Sequence, residues 1–219
     1  MSQERAWTSG RRRLLLGGGV ALLVVIVAIA LVLGGEEGEA PIVGHRGRTA
    51  EPSASVPAFR FSPRDRALVM TEPGKIKRRM RLAGGAAATA TASLLSDLYT
   101  EAFLDPANWQ GSYGEAFRMF AAGARIDAKR REDVLTAGRS AADRFERIEP
   151  VAGKLRSRIL LDRLGKPVLV VSLVRFRARG IGDETTILRS AGRYFFERVD
   201  GRWRIVSFDV EREDGDAAG

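Results

Sequence analysis

Residues 193–210 read RYFFERVDGRWRIVSFDV, two runs rich in aromatic and β-branched side chains on either side of Asp200-Gly201. Such runs favour extended chain, and Asp-Gly between them is the short-range signal for a two-residue hairpin, because a type I′ turn needs positive φ at both central positions. With that turn, residues whose numbers sum to 401 face each other across the hairpin. One face then carries Tyr194, Phe196, Trp203, Ile205, Ser207 and Asp209. The other carries Phe195, Val206, Phe208 and Val210, with Glu197 opposite Arg204 as a cross-strand ion pair. Both faces are largely apolar, so alternation alone does not choose the buried one. One face packs on the rest of the domain; the other is left to solvent, a second copy or a partner.

Working upstream, the pattern keeps a period of two. Leu155, Ser157, Ile159 and Leu161 alternate with charged residues, LGKP turns the chain, and PVLVVSLVRFRAR is a long strand. GIGD turns it again into ETTILRSAGRYFFERV. Before residue 150 the period becomes helical. Gly84 to Pro106 predicts a first helix with Leu94, Leu95, Leu98, Ala102 and Phe103 as its apolar stripe, stopped at Asp105-Pro106. Tyr113 to Ala122 predicts a second helix with Phe117 and Phe120 inward, and AKRREDVLTAG a third that ends at Gly138. Helices followed by antiparallel strands define an α+β class.

The amino-terminal third differs in kind. Leu14 to Leu33 is an uncharged run of twenty residues, long enough as a helix to cross a bilayer core of ~30 Å. Arg11, Arg12 and Arg13 precede it, which orients the amino terminus to the cytoplasm and the bulk of the chain outside. Two rival readings share the segment: Ala28-Ile29-Ala30 resembles a signal-peptidase site, and RRRLLL a twin-arginine export signal. The apolar run continues through Leu33, past that site, which favours an uncleaved anchor. All three readings put residues 36–219 outside the cytoplasm. The resulting division is a cytoplasmic tail (1–13), a transmembrane helix (14–33), a Pro/Arg-rich linker (34–83), a folded domain (84–212) and a disordered tail (213–219). KIKRRMR (Lys75 to Arg81) reads as a solvated flank that partly continues the first helix; contact with anionic headgroups or an acidic partner is the alternative.

Composition removes several classes of function. There is no Cys and a single His, His45, so thiolate chemistry, a histidine-built metal site and a Ser-His-Asp triad are not expected, and neither a metal nor a cofactor is. Arg outnumbers Lys by 31 to 5, the mark of a GC-rich bacterial gene. The net charge of +9 invites a nucleic-acid reading. Residues 84–219, however, carry twenty-two Lys/Arg against twenty Asp/Glu, so the excess lies mostly outside the predicted domain and no nucleic-acid partner is expected.

Three stretches, LYTEAFLDP, LLDRLGKPVLVVSLVRF and GRYFFERVDGRWRIVSFDV, together resemble the nuclear-transport-factor-2-like (SnoaL-like) cone fold over about residues 85–212. Within that family the layout is most similar to membrane-anchored extracytoplasmic members of bacterial envelopes, such as those associated with mammalian-cell-entry transporters or with conjugation machines. The resemblance implies helices packed on a curved antiparallel sheet. It also implies a single-pass cell-membrane protein with an extracytoplasmic domain, serving as an accessory or scaffold subunit of an envelope assembly. Its expected partners are the membrane and an envelope protein or a second copy of itself. Enzymes of this fold use an Asp or His base in a cavity, sometimes with a Tyr donor. With no His in the domain, Asp209 with Tyr194 is the best remaining pair, and no catalytic set is assigned. Trp109, Tyr113, Tyr194, Phe196, Trp203, Ser207 and Asp209 are the candidate pocket for a small-molecule or lipid ligand, the runner-up function, with weak isomerase- or cyclase-like activity. Phe195, Glu197, Arg204, Val206 and Phe208 are the candidate interface.

Overall fold

The Asp200-Gly201 turn forms as the sequence predicts, with φ of 51° and 75° at its two residues. It joins the last two of five strands in a computed structural model that describes residues 56–63, 65–111 and 113–216. The elements run β1 (Asp65–Met70), α1 (Arg78–Tyr99), α2 (Gly114–Phe117), α3 (Ala122–Arg130), α4 (Glu132–Leu135), α5 (Ala141–Arg144), β2 (Arg147–Leu161), β3 (Pro167–Ile181), β4 (Thr186–Val199) and β5 (Arg202–Asp216). The strands lie side by side in sequence order; β1 pairs parallel to β2 and every other pair is antiparallel. The protein is therefore α+β, with helices packed with a five-stranded mixed sheet; the expectation of a wholly antiparallel sheet fails because β1, which the sequence did not reveal, adds parallel to β2. A parallel neighbour needs a long crossover, and all five helices lie within the one that joins β1 to β2.

α1 forms because its first half is Ala-rich and its apolar positions recur at helical spacing. It buries Ala88, Thr91, Ala92, Leu95, Leu98 and Tyr99 against the sheet, and continues as a π-helical turn, Thr100–Leu104. That turn stops at Asp105-Pro106, where the sequence placed the stop. The Asp105 carboxylate accepts from Ala107 N–H at 3.0 Å and caps the short 3₁₀ turn that follows. In the core, the Tyr99 ring stacks on Phe103 at 5.2 Å and tilts against Phe176 at 4.8 Å. β3 shows why one sheet face is inside: Val170, Ser172, Val174, Phe176 and Ala178 are buried, while Leu173, Arg175, Arg177 and Arg179 between them are exposed.

Three further expectations need correction. The register sum of 401 holds from Val199↔Arg202 to Phe196↔Ile205, then a bulge at Val206 shifts it to Phe195↔Ser207 and Tyr194↔Phe208. One extra residue reverses the phase of the rest of β5. Phe208 and Val210 therefore turn inward with Tyr194, Phe196, Trp203 and Ile205, whereas Ser207 and Asp209 face out and are exposed. Second, the ordered domain begins before residue 84 and extends past 212. Phe61, β1 and the start of α1 lie within the stretch assigned to linker, and β5 runs to Asp216. Third, the second and third predicted helices are shorter and displaced, as α2, α3 and α4.

The strands define two ends. At the turn end stand the β2–β3 turn (162–166), the β4–β5 hairpin and the first turn of α1; Gly165 of the β2–β3 turn abuts the Met80 side chain of α1. At the far end stand the β3–β4 turn (182–185), α5 and the last residues of β5.

Candidate interaction surface

The seven candidate pocket residues do not meet in one cavity. Trp109, Tyr113, Tyr194, Phe196 and Trp203 are buried core side chains. Trp109 packs edge-on to Phe145, with its indole N–H lacking an acceptor among the described residues, and the Tyr113 hydroxyl donates to the Gly138 carbonyl at 2.9 Å. Asp209, on the outer face, makes an exposed ion pair with Arg193. Tyr194 points the other way, so the best sequence pair for acid–base work is split across the sheet. The Tyr194 hydroxyl instead donates to Tyr99 at 3.4 Å, and the Tyr99 hydroxyl lies 2.8 Å from Ser190 Oγ. Burial pushes the Tyr194 phenol well above its usual pKa, and the neighbouring Tyr99 adds to the rise. Burial also raises Tyr99, partly offset by its hydrogen bonds to Ser190 and Tyr194. These are neutral hydroxyls holding a helix to a sheet.

The five candidate interface residues divide too. Phe195 and Val206 are half-buried on the outer side. Arg204, directly opposite Glu197, donates to the Arg118 carbonyl at 2.9 Å, and no Glu197–Arg204 ion pair forms among the described residues. Phe208 leaves the set: it packs edge-on to Phe120 at 5.6 Å, with the Arg131 guanidinium 5.3 Å from its ring centre. The membrane residues Arg11, Arg12, Arg13, Leu14 and Leu33 lie outside the described residues. Among the described residues no helix is long and apolar enough to cross a membrane.

What the sheet does bring together is a lattice of charge on its outer face. Lys154 of β2 stands directly opposite Arg175 of β3, and Arg177 of β3 directly opposite Arg189 of β4. Like charges in register destabilise a sheet, by up to ~1 kcal/mol for each pair. None of these four closes an ion pair among the described residues, although Glu213 stands opposite Arg189 on β5. Leu173, 41% exposed, lies with Lys154, Arg156 and Arg175 around a hollow of about 140 Å³. On the same face of β5 stand Asp209, Glu211 and Glu213, all exposed.

Sequence reasoning missed Arg212. Its side chain is only 8% exposed; it donates to the carbonyls of Asp133 (3.1 Å) and Thr136 (2.7 Å) and forks onto both Asp214 oxygens (2.8 and 2.6 Å). It thus ties the end of α4 to β5. Asp214 also pairs with Arg144 at 3.0 Å. Burial alone would raise the Asp214 pKa, but the hydrogen bonds and charges of Arg212 and Arg144 prevail and hold it below the usual value. An Arg in the charged tail EREDGD carries no local signal of burial; only the chain's return to α4 creates one.

No protein-family model, no curated protein and no solved structure matches the chain. The class that the fold defines is α+β, and function rests on the surfaces above.

Proposed function

We propose that the chain is a single-pass membrane-anchored interaction protein, an accessory or scaffold subunit of a bacterial envelope assembly. In this reading residues 14–33 are the anchor, and a domain of the nuclear-transport-factor-2-like cone type docks onto an acidic partner through its outer sheet face. One observation carries it: two directly opposed cation pairs, Lys154–Arg175 and Arg177–Arg189, none of whose four members closes an ion pair among the described residues. A feature that costs stability in the free domain is expected where a partner supplies the missing counter-charge. The sequence of the anchor and a tether that keeps the partner at high local concentration support the same reading.

The test is site-specific photo-crosslinking of the full chain in its membrane, from Leu173 on the outer face and from Ile126 on the helix side. A discrete adduct is expected from Leu173 and lost with Arg175→Glu plus Arg177→Glu. An adduct of twice the chain mass would assign the face to a second copy, whose Asp209, Glu211 and Glu213 would be the complement. Adducts from Ile126 with none from Leu173 would overturn the reading.

A further inference from the structure

The turn end of the sheet holds most of the domain's excess charge. Residues 56–216 carry thirty Lys/Arg against twenty-two Asp/Glu, and within them residues 69–82, 162–168 and 198–202 carry nine against three. These segments are far apart in sequence. The β1–β2 register, the β4–β5 hairpin and the contact of Gly165 with Met80 bring them to one end. KIKRRMR thus leads into α1, whose first four residues are Arg78 to Arg81, as part of the folded domain, and the premise that the basic excess lies outside the domain does not stand. None of the nine cations closes an ion pair among the described residues, where ten such pairs are present.

The same end also collects exposed apolar side chains. Of nine large ones exposed among the described residues, five stand here: Val69, Leu82, Leu164, Val168 and Val199. Leu164, 60% exposed, sits at a turn between Arg163 and Lys166; Leu82, 66% exposed, follows Arg81. Cations alone would suit any polyanion. Cations interleaved with apolar tips suit an interface where phosphates lie above hydrocarbon. The opposite end carries the reverse charge: residues 141–149, 179–185 and 212–215 hold seven Asp/Glu against four Arg. The domain is therefore polarised along its strands, and an anionic surface would orient it turn end first.

We infer that the turn end docks onto the headgroups of an anionic phospholipid bilayer, with Leu164 and Leu82 entering the interface and the acidic far end held away. The inference rests on the proposed anchor, which keeps the domain near a bilayer. Residues 34–55 can span at most ~75 Å, ample for either end to reach it.

The chain has no Cys, so a single environment-sensitive dye can be placed in the full chain at Leu164→Cys or, as a far-end control, at Glu184→Cys. Each is reconstituted into vesicles of phosphatidylcholine alone or with phosphatidylglycerol. The expected result is brighter, blue-shifted emission from position 164 only with phosphatidylglycerol, fading as salt is raised, with position 184 unchanged. Arg78→Glu, Arg79→Glu and Arg163→Glu, all at exposed sites, should each weaken the contact roughly fivefold or more. Equal emission at 164 in both vesicles, or equal shifts at 164 and 184, would overturn the inference. So would tight binding of a single-stranded oligonucleotide that displaces the vesicle response, which would reassign the patch to nucleic acid. Failure of the anchor would show separately, as loss of flotation with phosphatidylcholine vesicles after a high-salt wash. Emission would then be read on chain added to preformed vesicles, with the same two outcomes.

Discussion

At the far end of the sheet, Arg144 and Arg212 share Asp214, and Arg147 and Arg179 share Glu149, so four of the ten ion pairs among the described residues sit there. At the turn end, nine cations and five apolar side chains stand with none. Both ends belong to the same strands, so strand propensity does not explain the difference. The far end spends its charges inside the molecule, pinning α4 and α5 to β5. The turn end leaves its charges unspent, as a surface that acts on something outside the molecule does.

The comparison breaks most easily at Arg212. Arg212→Ala strands two helix-end carbonyls and removes the nearer partner of Asp214, and should lower stability by about 3 kcal/mol in urea unfolding. A loss below about 1 kcal/mol would mean that the far end is not pinned by this residue. Next is Gly192, with φ of 155°, where a Cβ would come 2.2 Å from the Asp209 carbonyl oxygen of β5. Gly192→Ala should cost about 1–3 kcal/mol by the same measurement, because β4 must move off β5. A wild-type midpoint would show that the sheet is not closed that tightly at this position.

The pH dependence has a definite sign. The Asp214 pKa is lowered on folding, so its contribution is fully present above the unfolded value, near 3.8, and is lost as pH falls through the folded value. Unfolding midpoints should therefore fall in the wild type below about pH 4, and fall less in Asp214→Asn. Parallel curves would remove Asp214 from the account. The smallest effects belong to the unspent charges. Arg78→Ala with Arg79→Ala should change stability by less than about 0.5 kcal/mol. Arg175→Glu, which turns a repelling pair with Lys154 into an attracting one, should raise it by a few tenths while abolishing the Leu173 crosslink. A large loss of stability in either would make these cations structural.

Much of the fold could be read locally. Alternation marks β2, a long and largely apolar β-branched run marks β3, Asp-Gly marks the hairpin, and Asp105-Pro106 marks the end of the first helical segment, because each depends on neighbours in sequence. β1 could not be read that way. DRALVM is short, edge-placed and mostly exposed, so burial imposes little pattern on it. Of the candidate site, Phe195, Glu197, Arg204 and Val206 kept outward or partly exposed positions. Asp209 and Phe208 exchanged faces for one reason, the extra residue at Val206.

The sequence by itself determined the α+β class, the run of strands from β2 to β5, the hairpin turn, the apolar run of residues 14–33 and the absence of thiol chemistry. These follow from composition and short-range periodicity. Only the tertiary structure decided which hairpin face is buried, since two apolar faces become one once the bulge rephases β5. It alone gathered KIKRRMR, the β2–β3 turn and the hairpin tip into one charged end, because residues about a hundred positions apart become neighbours only through strand register. Local sequence sets what each segment prefers, and the packing of distant segments sets which surfaces are left to act.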